Sequence, residues 1–294
     1  MTTIGFIGLG NMGGPMAANL VRAGHRVTGF DLSAQSCEAA RAAGVAIAAD
    51  APGAVAEAEV VLTMLPAGRH VIEVFGTILP AMRDGALVID CSTIDVDSAR
   101  KAHDIAVEKN CLSLDAPVSG GVGGAQGATL TFMAGGAAEA FAKAEPILLQ
   151  MGRKAVHCGE AGAGQAAKIC NNMILGISMI GVAEAFVLAE KLGLSHQALF
   201  DVASTSSGQC WSLTTYCPVP GPVPTSPANN DYKPGFAAGL MLKDLGLAQE
   251  ASQTSGATTP LGEHARAIYE RFAQGGNEGV DFSGIVRYLR EGRD

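Results

Sequence analysis

The sequence has few charged or aromatic side chains and no cluster of basic residues. Charged residues make up 16% of its 294 positions, aromatic residues make up 5%, and the formal net charge is −8. An acidic chain with scattered lysines and arginines does not carry the basic surface that binds nucleic acid. The seven cysteines are an odd number, none forms a C-x-x-C pair, and no metal-spaced cluster occurs. We therefore expect free thiols in a reducing compartment, no disulfide framework and no metal.

We expect no signal or transit peptide and no membrane span in this chain. The first predicted strand begins close to Met1, which leaves no room for a signal or transit peptide, so we expect a cytoplasmic protein, with a processed organellar form as the alternative. The longest apolar pattern, residues 165–192, is interrupted by Lys168, Glu184 and Glu190, so no stretch of ~20 uncharged residues remains to cross a membrane. We predict instead a helix of roughly 40 Å that is buried on all sides between two domains.

Residues 3–31 have the pattern of a dinucleotide-binding unit. An apolar strand is followed by Gly8, Gly10 and Gly13 in G-x-G-x-x-G spacing, then by a helical pattern and a second strand that ends at Asp31. The glycines permit a tight turn, close approach to a pyrophosphate and close packing of helix on strand. The helix N-terminus offers N–H groups to phosphates, and Asp31 can accept hydrogen bonds from ribose hydroxyls. A glycine-rich turn without a ligand is the alternative, but the surrounding pattern favours the cofactor site, to which we also assign Asn11 and Met12.

The residue at the end of the second strand favours NAD over NADP. The charge of Asp31 would repel a 2′-phosphate, and the next residue is Leu32, where an arginine could have paired with that phosphate. We therefore expect NAD as the cofactor.

Helical and strand-like segments alternate up to about residue 158, which predicts a doubly wound parallel sheet. Continuous apolar runs at 60–65 and 86–90 are typical of parallel strands that are covered on both faces. Ligands of such sheets bind outside the carboxyl ends of the strands. Leu65, Pro66 and Thr93 lie at these ends and are predicted cofactor contacts, with ordinary connecting loops as the alternative.

Two further stretches contain candidates for substrate chemistry. Ser119-Gly120-Gly121 offers a hydroxyl and unencumbered N–H groups that can hold a carboxylate, unless this glycine-rich stretch is a flexible surface loop. Lys168 and Asn172 are four residues apart and share one face of the long helix. A lysine in an apolar helix loses hydration unless it has a partner or a role, the alternative being a side chain that reaches solvent from the helix end.

Five stretches of the sequence resemble the β-hydroxyacid dehydrogenase family. They are FIGLGNMGGPMAANL (6–20), DAPVSGGVGGAQGATLTFMAGG (115–136), GAGQAAKICNNM (162–173), SSGQCWSLTTYCPVPG (206–221) and KDLGLAQ (243–249). The first is shared by many dinucleotide enzymes, and the second and third are specific to the family. The fourth is typical of the branch that acts on 3-hydroxyisobutyrate.

The resemblance implies a Rossmann-type NAD-binding domain at residues 1–162 and an all-α domain at residues 163–294, built on the long interdomain helix, with the active site in the cleft. Members of the family usually form homodimers or homotetramers. The resemblance also implies Lys168 as the catalytic residue, Ser119, Gly120, Gly121 and Asn172 as substrate contacts, and Leu65, Pro66, Thr93 and Lys243 as cofactor contacts. Trp211 and Phe236 are candidates for an apolar wall beside the substrate, the alternative for the single tryptophan being a position in the core.

The implied reaction is NAD-dependent oxidation of a small hydroxyacid, 3-hydroxyisobutyrate, to methylmalonate semialdehyde in valine catabolism. Hydride transfer from an alcohol carbon also requires removal of the hydroxyl proton, and as the base Lys168 needs a pKa lowered from ~10.4 to about 7–8. Partial burial and the positive helix end would lower that pKa, whereas a bound carboxylate would raise it. The alternatives are a reductase of tartronate, glyoxylate or succinate semialdehyde, and a non-catalytic dinucleotide-binding module, which the presence of Lys168 and Asn172 disfavours.

Overall fold

A mixed sheet and a long helix organise the chain. The structure, a computed structural model, describes residues 1–292, so the last two residues of the predicted second domain lie outside the described residues. The chain divides into two units, of which the first comprises Met1–Lys168 and the second starts at Ile169.

Nine strands form the sheet of the first unit. They are β1 (Thr3–Ile7), β2 (Arg26–Phe30), β3 (Ala46–Ile47), β4 (Val60–Thr63), β5 (Leu87–Asp90), β6 (Leu112–Asp115), β7 (Val118–Ser119), β8 (Leu130–Gly135) and β9 (Gly152–Gly159). Six strands run parallel in the order β3-β2-β1-β4-β5-β6, so the direction of winding reverses between β1 and β4, where dinucleotide-binding sheets bind their ligand. β8 is antiparallel to β6 and β7 and parallel to β9. The predicted Rossmann-type sheet is confirmed.

Helices cover both faces of this sheet, which explains why its strands are apolar throughout. Leu87 and Ile89 pack into the core on one face, and Val88 between them packs into the core on the other. Successive side chains of a strand point to opposite faces, so a strand covered twice has no polar side. The helices of this unit are α1 (Gly13–Arg22), α2 (Ala34–Ala42), α3 (Ala51–Val55), α4 (Gly68–Ile78), α5 (Val96–Glu108), α6 (Gly121–Gln126) and α7 (Ala138–Leu148).

The second unit is built from helices, as predicted. The 29-residue helix α8 (Ala163–Lys191) includes residues of both units. In the second unit its Phe186 packs in a core with Leu245 and Tyr269. The remaining α-helices of the described residues are α9 (His196–Ala203), α10 (Trp211–Thr214), α11 (Ala238–Ser255), α12 (Pro260–Phe272) and α13 (Ile285–Arg290).

The prediction that α8 is buried on all sides is wrong for the chain alone. Ile174 is 63% exposed and Leu188 is 60% exposed, because only one stripe of the helix packs into the core. By length and composition α8 is apolar enough to cross a membrane, a property that it shares with core helices of globular proteins. An apolar stripe of α8 is therefore left uncovered by this chain.

Segment 217–234 has six prolines, a composition that predicts a long irregular surface loop, and it is irregular and half exposed, but several of its side chains anchor it in the second core. Cys217, Val219 and Tyr232 are all buried in the second core. The Ser226 hydroxyl donates to the Cys217 carbonyl at 2.6 Å, and the Tyr232 hydroxyl donates to the Pro218 carbonyl at 2.7 Å. Side chains thus satisfy buried backbone groups that regular secondary structure would otherwise pair, which is why an irregular segment can pack inside.

Candidate active site and cofactor site

The three glycines of the β1–α1 loop are needed for different reasons: two of them for the fold and one for the space that a ligand would occupy. Gly8 has φ +94°, and a Cβ there would lie 2.3 Å from the Met64 carbonyl oxygen. A Cβ at Gly13 would lie 1.9 Å from the Gly8 carbonyl oxygen, so the fold itself requires both glycines. A Cβ at Gly10 would meet no protein atom within 4 Å. The space above Gly10 is therefore open to a ligand, as a pyrophosphate requires.

Asp31 is fastened to the same loop. Its Oδ2 accepts a hydrogen bond from the Leu9 N–H at 2.7 Å, and its Oδ1 accepts one from the Ser33 N–H at 2.7 Å. Two backbone donors thus hold the carboxylate at the end of β2, beside the loop that would carry the pyrophosphate. The residues present fit a dinucleotide, whose ribose Asp31 would bind.

The ends of β4 and β5 are joined through the buried side chain of Asp90. Its Oδ1 accepts hydrogen bonds from the hydroxyls of Thr63 and Ser92, both at 2.6 Å. The Ser92 hydroxyl oxygen in turn accepts from the Leu65 N–H at 2.8 Å. Burial raises the pKa of the Asp90 carboxyl to about 6, against these hydrogen bonds, which lower it. This network positions Leu65, which also lies close to Gly8.

The side chain of Gln165 forms hydrogen bonds with the backbone on both sides of Thr93. Gln165 is fully buried in the first turn of α8, where its Nε2 donates to the Ser92 carbonyl at 2.7 Å and its Oε1 accepts from the Ile94 N–H at 3.1 Å. The two bonds hold the backbone on both sides of Thr93. The loop predicted to contact the cofactor and the start of the helix that carries Lys168 are therefore joined directly.

Asp115 holds the N-terminus of α8. Its Oδ1 accepts from the Gly162 N–H at 2.7 Å, and its Oδ2 accepts from the Gln165 N–H at 2.8 Å. Burial raises the pKa of this carboxyl, and the backbone hydrogen bonds oppose the rise. Asp115 and Gln165 lie in the family-like stretches 115–136 and 162–173, but the sequence pattern assigned neither of them a role.

Lys168 and Asn172 lie one turn apart on α8 and are both buried, with 7% and 2% exposure. Lys168 therefore does not extend into solvent, which was the alternative interpretation. Asn172 Nδ2 donates to Asp244 Oδ2 at 2.5 Å, and its Oδ1 accepts from Asn171 Nδ2 at 2.9 Å. Asp244, to which the sequence pattern assigned no role, follows the predicted cofactor contact Lys243 on α11 and is the partner of a predicted substrate contact.

The other predicted substrate contacts lie on short elements. Ser119 ends strand β7 and is half-buried, and the two glycines after it have φ of +135° and +61°, so the backbone turns there into α6. In the second unit, Trp211 begins α10 and is 49% exposed, and Phe236 is half-buried. Trp211 is thus not the core residue of the alternative interpretation. Within residues 1–292, no group of three His, Cys, Asp or Glu side chains is arranged to hold a metal.

This geometry fits an enzyme that binds a dinucleotide, and comparison with known proteins shows that the class is that of the NAD-dependent dehydrogenases. Residues 3–159 match the NAD-binding domain of 6-phosphogluconate dehydrogenase, and residues 162–289 match a model described as NAD-binding of NADP-dependent 3-hydroxyisobutyrate dehydrogenase. The chain belongs to the β-hydroxyacid dehydrogenase family and is an NAD-dependent oxidoreductase.

Similar proteins cover the chain from end to end. A probable 3-hydroxyisobutyrate dehydrogenase of Mycobacterium tuberculosis is 57% identical over 294 residues and 100% of both chains. An NAD-dependent L-serine dehydrogenase of Pseudomonas aeruginosa is 48% identical over 98% of this chain and 97% of its own. The solved structure of the Mycobacterium tuberculosis 3-hydroxyisobutyrate dehydrogenase with L-serine has a TM-score of 0.96 at 57% identity and covers 99% of both chains.

The loop glycines allow cofactor binding to be separated from folding. Gly10→Ala should leave thermal unfolding unchanged and weaken NAD binding by more than about tenfold, because the added methyl group would meet the pyrophosphate and no protein atom. Gly13→Ala is the matched control, since the same methyl group would lie 1.9 Å from the Gly8 carbonyl oxygen and should lower the unfolding temperature. Calorimetric titration measures the NAD affinity of each variant, and thermal unfolding measures its stability. Unchanged NAD affinity of Gly10→Ala would contradict this placement of the cofactor.

Proposed function

We propose that this chain oxidises 3-hydroxyisobutyrate to methylmalonate semialdehyde, the reaction that valine catabolism requires, with Lys168 as the general acid/base. The observation that carries the proposal is a buried lysine one turn from a buried asparagine, on a helix whose first turn is bonded to the Thr93 loop through Gln165. The relatives named 3-hydroxyisobutyrate dehydrogenase support the substrate.

When bound by the β1–α1 loop and Asp31, NAD would supply the acceptor for the hydride of the carbon that carries the hydroxyl group. Lys168, in its neutral form, takes the hydroxyl proton in oxidation and returns it in reduction. One N–H of the Asn172 amide is committed to Asp244, and the second is the donor that would orient the substrate oxygen. Ser119, Gly120 and Gly121 would hold the substrate carboxylate.

A second candidate substrate is L-serine. A relative at 48% identity is an NAD-dependent L-serine dehydrogenase, and the solved 57%-identical structure is described with L-serine. L-Serine has a β-hydroxyl group and a carboxylate, so the same lysine could act on it, but its ammonium group would lie where 3-hydroxyisobutyrate has a methyl group. An apolar wall of Trp211 and Phe236 cannot solvate that charge.

We also propose a cytoplasmic homodimer or homotetramer. The exposed apolar stripe of α8, with Ile174 and Leu188, is a surface that a second copy would cover. A monomer mass in light scattering at micromolar concentration would contradict this assembly.

The catalytic role of Lys168 predicts a defect in turnover. Lys168→Met should lower kcat by about 10²–10⁴-fold while NAD still binds, because the acid/base group is lost and the dinucleotide loop is intact. Lys191→Met, at the exposed end of the same helix, is the control and should keep normal turnover. Added primary amines should partly restore Lys168→Ala. Near wild-type kcat in Lys168→Met, or equal defects in both lysine variants, would refute the assignment.

The position of Asp31 predicts selectivity for NAD. Its carboxylate is held by two backbone N–H groups and cannot turn away easily from a 2′-phosphate, so kcat/KM should be more than about tenfold higher with NAD than with NADP. Asp31→Ala should narrow this ratio, whereas Glu38→Ala, which removes an exposed acid on the neighbouring helix α2, should not. Equal kcat/KM with the two cofactors in the wild-type enzyme would overturn the prediction.

The apolar wall predicts the ranking of substrates. One methyl group in an apolar pocket is worth roughly 10–200-fold, so 3-hydroxyisobutyrate should exceed 3-hydroxypropionate in kcat/KM by about that factor. L-Serine should be poorer than both. The measurement is a panel of small hydroxyacids at saturating NAD, with tartronate semialdehyde and glyoxylate assayed in the reverse direction. Equal or better rates with those semialdehydes would assign the chain to the neighbouring reductase branch, and a higher kcat/KM for L-serine would favour the second candidate.

A further inference from the structure

Four aromatic rings of the second unit contact one another in a continuous row from its core to its surface. Trp211 stacks on Tyr216 with ring centroids 4.9 Å apart at 20°, and Tyr216 stacks on Phe282 at 5.4 Å and 29°. Phe236 meets Phe282 edge to face at 5.7 Å. Phe282 is 1% exposed and Trp211 is 49% exposed. Trp211 therefore has one face covered by Tyr216 while about half of its surface stays open.

One buried carboxylate fixes this row of aromatic rings through hydrogen bonds. Asp281 is fully buried, and its Oδ2 accepts hydrogen bonds from the Tyr216 hydroxyl at 2.9 Å, the Gly235 N–H at 2.9 Å and the Phe236 N–H at 3.1 Å. Its Oδ1 accepts from the N–H and hydroxyl of Ser283. A single oxygen atom thus binds both the ring beneath Trp211 and the backbone of Phe236.

The position of Trp211 depends on this packing more than on its own helix. The helix α10 has four residues, and its N-cap residue makes no side-chain hydrogen bond. Such a short helix is marginal without tertiary contacts. Hydrogen bonds to a charged acceptor are roughly twice as strong as neutral ones, so Asp281 is a firm anchor. Burial, and then the charge of Asp281, raises the pKa of Tyr216, which keeps its hydroxyl a donor at working pH.

We propose that Tyr216 and Asp281 are positioning residues for substrate specificity, because they hold Trp211 and Phe236 as one rigid apolar wall against the substituent of the hydroxyacid. The inference rests on the proposed function, in which that wall meets the substrate. A rigid wall favours a methyl branch over hydrogen, whereas a wall that can shift loses this discrimination. Neither residue touches the reacting atoms, so the effect should appear in the comparison of substrates and not as a uniform loss of rate.

The test compares 3-hydroxyisobutyrate with 3-hydroxypropionate at saturating NAD in three variants. Tyr216→Leu removes both the stack and the hydroxyl and should bring the ratio of kcat/KM values from roughly 10–200 to within about threefold of one. Tyr216→Phe keeps the stack and should lower the ratio by about threefold, since only the bond to Asp281 is lost. Tyr232→Phe removes another buried hydroxyl, which bonds the Pro218 carbonyl, and should leave the ratio unchanged.

Trp211 is the only tryptophan, so its fluorescence reports the wall directly. Tyr216→Leu should shift the emission to longer wavelength and increase quenching by acrylamide, Tyr216→Phe should do so to a smaller extent, and Tyr232→Phe should not. Circular dichroism establishes that each variant is folded. If Tyr216→Leu does not fold, Tyr216→Phe carries the test alone.

The outcomes separate the inference from the proposed function. A wild-type ratio near one would refute the proposed substrate and the specificity role together. A wild-type ratio of about ten or more that Tyr216→Leu leaves unchanged would refute the inference alone. If Tyr216→Phe changes neither the ratio of kcat/KM values nor the tryptophan emission, the hydrogen bond to Asp281 has no positioning role. If Tyr232→Phe changes them as much as Tyr216→Phe does, the effect is general destabilisation and the inference is refuted.

Discussion

Two backbone N–H groups at the start of helix α8 donate to the buried carboxylate of Asp115, and the position of Lys168 depends on this interaction. The first N–H groups of a helix have no partner within the helix, and a buried carboxylate without donors would be strongly destabilising, so each satisfies the other. Hydrogen bonds to a charged group contribute about 1.5–3 kcal/mol each, which is enough to fix the first turn of a helix. Close packing makes the contact possible: a Cβ at Gly164 would lie 2.2 Å from the Met133 carbonyl oxygen, so only glycine lets the helix approach β8 so closely.

From this point the hydrogen-bond network extends to the loops that are predicted to contact the cofactor. Gln165 joins the first turn of α8 to the backbone on both sides of Thr93, and Ser92 and Asp90 continue the network to Leu65 and the end of β4. The side chains of Gln165, Ser92 and Asp90 are all buried, where hydrogen bonds are protected from competition with water. Turnover requires that the acid/base group and the nicotinamide keep a fixed relation, because small errors of position slow hydride and proton transfer strongly. A continuous buried network is a physical means of keeping the start of α8 and the cofactor loops in register.

The second unit uses buried carboxylates in the same way. Asp244 accepts from the Asn172 amide and so orients a side chain that we assign to the substrate. Asp281 fixes the row of aromatic rings that ends at Trp211. In each case a buried acid orients, directly or through a neighbouring ring, the side chain that we propose to contact a ligand. This arrangement explains how a unit made of helices, one of them only four residues long, can present a defined surface.

The sequence by itself determined the dinucleotide-binding unit, the doubly wound sheet, the helical second unit and the family, because these depend on short-range patterns: glycine spacing, apolar runs and motifs of a few adjacent residues. It also brought Lys168 and Asn172 to one helix face, since a spacing of four residues fixes that geometry in any helix. Only the tertiary structure decided which side chains are hydrogen-bond partners. Asp115 and Gln165 are 50 positions apart, Tyr216 and Asp281 are 65 apart, and Asn172 and Asp244 are 72 apart, so no local pattern links them. The buried side chains of Cys217, Val219 and Tyr232 and the exposed stripe of α8 were missed for the same reason, because composition describes what a segment contains and packing decides which surfaces water reaches.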